Sequence, residues 1–270
     1  MQTWTPIHRR TLLADLGRGA FALAVVSVAG CAPAASASPG GSPAPSPGDG
    51  SAAPSDDATT PPSDAPSAPP SASGAAFAWE RVNLGFVSAY ILSRDGEAVI
   101  VDTGTGGSAD AIEASLSAGS LDWSAVGHLI LTHQHGDHVG SAADVMERAP
   151  AAVGYAGAED LPAIVVPRPL TAVADGDDVF GLTIITTPGQ TPGSISVLDQ
   201  AGGLLVAGDA LGTGGGVPML PGAQFTADMD VAKESVVKIG GLVFETLLVG
   251  HGDPIESGAA ALVAELGAAG

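Results

Sequence analysis

The sequence predicts an α/β domain of two packed sheets with helices outside them. Three observations point there. From Phe77 onward, short runs rich in Val, Ile and Leu alternate with glycine-rich turns. Four longer stretches have helical character, three of them opening on a Ser or Thr suited to a helix N-cap. Strands come first and then mix with helices, as a sandwich of two sheets requires.

Taken in order, residues 86–92, 98–101, 128–131, 182–186, 195–198, 204–207 and 246–249 read as strands. Residues 108–118, 138–148, 226–239 and 257–266 read as helices, with Ser108, Thr226 and Ser257 as N-caps. A domain over residues 76–270 is long enough to bury one good core, and no internal repeat is visible in it.

What precedes this domain has a different character. Residues 1–30 open with His8, Arg9, Arg10 and Arg18, continue with a short apolar run and end on small residues, the pattern of a signal peptide. Arg9-Arg10 resembles a twin-arginine export signal, and Val28-Ala29-Gly30-Cys31 resembles a bacterial lipobox, which would make Cys31 the lipidated residue. The expected location is therefore the outer face of the cell membrane, held by lipid alone. Residues 31–75 form a Pro-, Ala- and Ser-rich linker with 11 of the chain's 21 prolines and no Leu, Ile or Val. Such a composition cannot bury enough apolar surface to order itself.

The formal charge is −20, from nine Lys and Arg against 29 Asp and Glu. An acidic surface of this kind repels phosphate backbones, so a nucleic-acid partner is not expected. Solvated turn acids account for part of that charge, Asp175, Asp177 and Asp178 among them. With Cys31 the one cysteine, neither an internal disulfide nor a cysteine-based zinc cluster can form. Any bound metal must rest on histidine and carboxylate.

Three of the six histidines fall within His133-Gln134-His135-Gly136-Asp137-His138, directly after the apolar run 128–131. In an extended chain His133 and His135 point the same way. Gly136 lets the backbone turn, so that Asp137 and His138 can aim at a second position nearby. Imidazole and carboxylate suit Zn²⁺, and also Fe or Mn. His128 reads as structural and His8 as part of the signal.

These six residues match the HxHxDH signature, and on them the domain resembles the metallo-β-lactamase superfamily. The other segments follow in that family's order: Asp102-Thr103-Gly104, then Thr187-Pro188-Gly189-Gln190, Gly208-Asp209 and Gly250-His251-Gly252. The resemblance implies a four-layer αβ/βα sandwich with its site at one sheet edge. It implies a first metal position with His133, His135 and residue 190, and a second with Asp137, His138 and His251. Asp209 would bridge the two, and Asp102 would orient ligand histidines. One or two Zn²⁺ ions would be held.

The chain departs from the family at Gln190, where histidine is usual. Three outcomes stay open: weak ligation at the first position, a single ion at the second, or loss of catalysis with binding retained. The implied activity is hydrolysis of a small ester, thioester, lactone or amide by metal-activated water, with Asp137 as a catalytic residue. The alternatives are a metal- or ligand-binding lipoprotein without turnover and a non-hydrolytic iron oxidoreductase of the same fold. After Asp209, residues 211–225 combine glycines with Val217, Met219, Leu220 and Phe225, which form either an apolar wall beside the site or ordinary core.

Overall fold

The computed structural model describes residues 74–270. The signal peptide, Cys31 and nearly all of the linker lie outside these residues.

The first sheet has six strands in chain order: β1 (Ala78–Asn83), β2 (Ser88–Arg94), β3 (Glu97–Val101), β4 (Val126–Leu131), β5 (Val153–Gly157) and β6 (Thr171–Val173). The first three pair antiparallel through tight turns, and β3 to β6 run parallel. Parallel neighbours need long crossovers, which are supplied by α1 (Ala109–Ala118), a short α2 (Gly136–Val139) and α3 (Ala142–Arg148). The second sheet contains β7 (Asp178–Val179), β8 (Leu182–Thr186), β9 (Ile195–Asp199), β10 (Leu204–Val206) and β13 (Thr246–Leu248), ordered β13-β10-β9-β8-β7. A hairpin of β11 (Gly212–Gly214) and β12 (Val217–Met219) stands apart from both. Two helices, α4 (Met229–Gly240) and α5 (Ala259–Ala269), complete the chain.

Three apolar layers hold this together, and strand alternation decides which residue enters which. In β3 and β4, Ile100, Leu129 and Leu131 face Ile112 and Leu116 of α1 and Val145 and Met146 of α3. Their neighbours Val99, Val101 and Ile130 face the other way, onto Leu182, Ile184, Ile195 and Val197 of the second sheet. On that sheet's far side Ile185, Leu198 and Leu205 pack under Val236 and Ile239 of α4 and Val263 of α5. The order is helix, sheet, sheet, helix: a four-layer αβ/βα sandwich. Strands buried on both faces read as unbroken apolar runs, which is why 98–101 and 128–131 stand out in the sequence.

Several local expectations need correction. The helix expected over 138–148 is two helices, because the chain turns at Gly140 and Ser141 so that His138 can face inward. The N-cap of α4 is Asp228, whose carboxylate accepts from the Asp230 and Val231 amides, rather than Thr226. That of α5 is Gly258, with φ 66°, rather than Ser257. Residues 211–225 are partly ordered by the β11–β12 hairpin, whose turn has Gly215 and Gly216 at φ 62° and 82°. His128 is structural, as expected: it stacks on Phe180 and lies 3.3 Å from the Tyr155 hydroxyl.

Candidate metal centre

The candidate residues come together at one end of the sandwich, from loops that leave both sheets. The loop after β4 brings His133 and His135, and α2 brings Asp137 and His138. From the second sheet, the β8–β9 connection brings Gln190, the end of β10 brings Asp209 and the end of β13 brings His251. Two groups form in which each residue offers one donor atom and all donors lie within 4.8 Å: His133, His135 and Asp209, and Asp137, His138 and His251.

Asp209 sits between the groups. Its Oδ1 is 3.2 Å from His138 Nε2, and its Oδ2 is 3.3 Å from His251 Nε2 and 3.7 Å from His133 Nε2. Two glycines permit this approach. A Cβ on Gly250 would press into Asp209 Oδ1 and the His138 ring, and Gly208, at φ 54°, lies against Thr132.

Asp102 lies just past β3 in the left-handed region, at φ 62°, which costs a non-glycine residue about 1–2 kcal/mol. That conformation lets one carboxylate serve two histidines. Oδ2 accepts from His138 Nδ1 at 2.7 Å and from the Thr132 hydroxyl at 2.7 Å. With its proton so committed, Thr132 Oγ1 can only accept from His133 Nδ1, 3.1 Å away. His251 Nδ1 donates to the Phe86 carbonyl at 2.7 Å. Each of these three rings thereby turns Nε2 toward the centre, where a bound ion would displace any proton it carries.

Electrostatics follow from this packing. Burial opposes protonation of His138, but Asp102 and Asp209 outweigh it and push its pKa up to about 10. Burial and the adjacent His138 hold His133 well below its ordinary value. His251 is raised chiefly by its bond to Asp209, against burial. Burial works against the charge of Asp209, yet His138 and His251 hold its carboxyl far below the usual range.

The donor set fits a divalent metal. Buried His138 Nε2 and Asp209 Oδ1 find no hydrogen-bond partner although they face each other. A pair of buried polar atoms without partners is costly unless something else meets them. Four imidazoles and two carboxylates converging on one spot are the ligand chemistry of such an ion.

Residues 82–251 match the Metallo-beta-lactamase superfamily. The chain belongs to this family. Among relatives of the superfamily, it is 28% identical over 201 residues to the uncharacterized protein YobT of Bacillus subtilis (63% of this chain, 85% of YobT). It is 32% identical over 170 residues to the probable metallo-hydrolase YflN of the same organism (47% of this chain, 64% of YflN). It is 31% identical over 157 residues to a hydroxyacylglutathione hydrolase of Francisella philomiragia (57% of each). The chain thus spans less than two thirds of the latter two proteins. A solved metallo-beta-lactamase family protein from Thermus thermophilus shares the superfamily fold, with a TM-score of 0.59 at 22% identity over 72% of this chain and 78% of that one.

The candidate site opens into a cavity of about 700 Å³. Phe86, Met219, Leu220 and Phe225 form much of its wall, with His135, Asp137, Asp209 and His251 beneath. Among the described residues, no Lys or Arg lines it. The nearby Arg81 is engaged elsewhere, with Asp253 at 2.9 Å and the Gly252 carbonyl at 2.8 Å. Of the expected apolar wall, Val217 is the exception: it does not line the cavity.

Asp160 and Phe86, like Thr132, support the candidate site without a counterpart among the sequence-based expectations. Asp160 is fully buried and accepts from the Gln134 amide, the Thr191 hydroxyl and the Gly193 amide, at 2.9, 2.6 and 2.9 Å. It ties the histidine loop to the Gln190 loop. Phe86 stacks on His251 with ring centroids 6.1 Å apart and holds its tautomer through the backbone. An isolated aspartate in a loop and an aromatic at a turn carry no local signal. Their roles exist only once distant loops meet.

Proposed function

We propose that this chain is a metal-dependent hydrolase of uncharged ester, thioester, lactone or amide substrates that carry an apolar arm. The observation that supports it is that four of the six candidate ligands, His135, Asp137, Asp209 and His251, line an apolar cavity without a cationic wall residue. An anionic substrate entering that cavity would meet no compensating Lys or Arg and an acidic chain around it. An apolar arm would bury Phe86, Met219, Leu220 and Phe225, each CH₂ contributing about 0.8 kcal/mol.

His133, His135, Asp137, His138, Asp209 and His251 would hold the metal, zinc being the best fit to nitrogen and carboxylate donors. Bound there, a divalent ion supplies a Lewis acid that acidifies water and polarises a carbonyl. The chain's own residues do the rest. Asp102 and Thr132 hold Nδ1 of His138 and His133 and so point their Nε2 atoms at the centre. Asp137 lines the cavity with its Oδ2 3.3 Å from His251 Nε2, placed to orient a water and take its proton. The apolar rim excludes bulk water from the reacting carbonyl. Outside the described residues, lipid on Cys31 would hold the enzyme at the outer face of the membrane, a reading supported by the lipobox. Cys31→Ser should then move the chain from the membrane to the soluble fraction.

The test is turnover of matched pairs by the zinc-loaded chain: neutral esters, thioesters and lactones against the same molecules carrying a carboxylate. Preference for the neutral members is expected. No turnover of any of them, or preference for the carboxylates, sinks the proposal. Full rate with full metal content in Asp137→Ala would remove Asp137 from its role.

A further inference from the structure

We propose that Gln190 makes the two metal positions unequal, so that the position of Asp137, His138 and His251 binds tightly and that of His133 and His135 weakly. This goes beyond the hydrolase reading and concerns the ions alone.

Gln190 is 3% exposed, and its backbone carbonyl is pinned by the Ala227 amide at 3.1 Å. Its side chain cannot retreat from the site. Nε2 lies 3.3 Å from Asp209 Oδ2 and 3.4 Å from His135 Nδ1, while Oε1 accepts from the Thr226 hydroxyl at 2.7 Å. The chemistry of the neighbours fixes this orientation. A carboxylate oxygen only accepts, so the amide end that faces Asp209 must be the NH₂.

An amide NH₂ has no lone pair to give a metal. In this orientation it also engages the Asp209 oxygen nearest the first position. Ligation through Oε1 requires the amide to turn about its last bond. The NH₂ would then face Thr226 Oγ1, which would have to accept from it and donate instead to the Gly222 carbonyl, 3.0 Å away. The partners for that turned state are present, so the first position can be filled. Filling it costs the Asp209 contact and exchanges one hydrogen bond to Thr226 for another. The ligand gained is an amide oxygen, weaker towards zinc than the imidazole of a histidine. The second position has no amide NH₂ among its candidate ligands. There His138 and His251 are held by Nδ1 and turn Nε2 inward onto carboxylates that would themselves be ligands, and Asp209 Oδ1 has no other partner.

The test is Zn²⁺ binding, read by calorimetry and by metal per chain after gel filtration at low free Zn²⁺. The wild type should keep one ion per chain, with a second binding about 10- to 100-fold or more weakly, the scale of perturbations at metal neighbours. Gln190→His should keep two. His135→Ala should still keep one, whereas His251→Ala should lose it. The last two variants locate the tight ion even if the histidine variant misfolds. Two ions of similar affinity in the wild type, no gain in Gln190→His, no Zn²⁺ retained at all, or retention in His251→Ala with loss in His135→Ala would each overturn the proposal. Because the readout is metal, failure of hydrolysis leaves it standing, and its own failure leaves the substrate reading to its separate test.

Discussion

Asp102 Oδ2 lies 2.7 Å from His138 Nδ1 and so decides which nitrogen of a buried ring faces the metal centre. Through Thr132 the same carboxylate reaches His133. Asp102→Asn keeps the shape but removes the charge and one acceptor. Zn²⁺ affinity is expected to fall about 10- to 100-fold, the usual cost of losing such a partner. Unchanged affinity in a titration would show that His138 is held by packing alone.

Asp160 makes a prediction about stability. Its carboxylate satisfies three donors from two loops with no exposure to water. Asp160→Ala leaves buried donors without an acceptor, and about 3 kcal/mol of stability should be lost. For a domain of this size that is a fall in Tm of roughly 10 °C. A shift under about 2 °C in a thermal melt would argue that the loops repair themselves.

Phe225, 66% exposed at the cavity rim, has little to do in the free protein and should matter to substrate. Phe225→Ala should lower kcat/KM for a long-chain neutral ester about tenfold, a loss of roughly 1.4 kcal/mol in transition-state binding. The acetyl ester should change less than about twofold. Equal losses on both esters would place Phe225 in support of the site rather than in recognition.

Asp175 is the exposed turn residue expected, and it also joins the end of β8 to α4. Burial works against its charge, yet Lys238 and the Thr186 amide and hydroxyl outweigh that and hold its pKa below the ordinary value. A depressed carboxylate stabilises the fold above its unfolded pKa of about 3.9 and loses that contribution as pH falls through the folded value. Being largely exposed, the pair is worth under about 1 kcal/mol. Asp175→Asn should therefore be slightly less stable than wild type at pH 7, with the gap closing below about pH 4. A gap that persists or widens in acid, measured by urea unfolding, would exclude this origin.

The legible parts of the sequence are those with local signatures. The doubly buried strands β3 and β4 stand out as apolar runs, and the histidine cluster stands out by density. Short strands such as β6 and β7, three and two residues long, carry too little pattern to detect. The misplaced cap at Thr226 has an instructive cause. Threonine suits a helix N-cap, but this hydroxyl is drawn to Gln190, 36 positions away, and Asp228 caps instead. Local propensity loses to a partner that only the tertiary fold supplies. The same holds for Asp160 and Phe86, and for the Lys238 partner of Asp175.

His133, His135, Asp137 and His138 reach the centre from one sheet, and Asp209 and His251 from the other. An ion gripped by both sets is a cross-link between two halves of the domain that otherwise meet, among the described residues, through side-chain packing, hydrogen bonds and the Arg81–Asp253 ion pair. With a single cysteine in the sequence, no covalent bridge can take that place. Zinc would then act as the clasp of the sandwich as well as its reagent, and withdrawing it should let the two halves breathe apart along their shared seam.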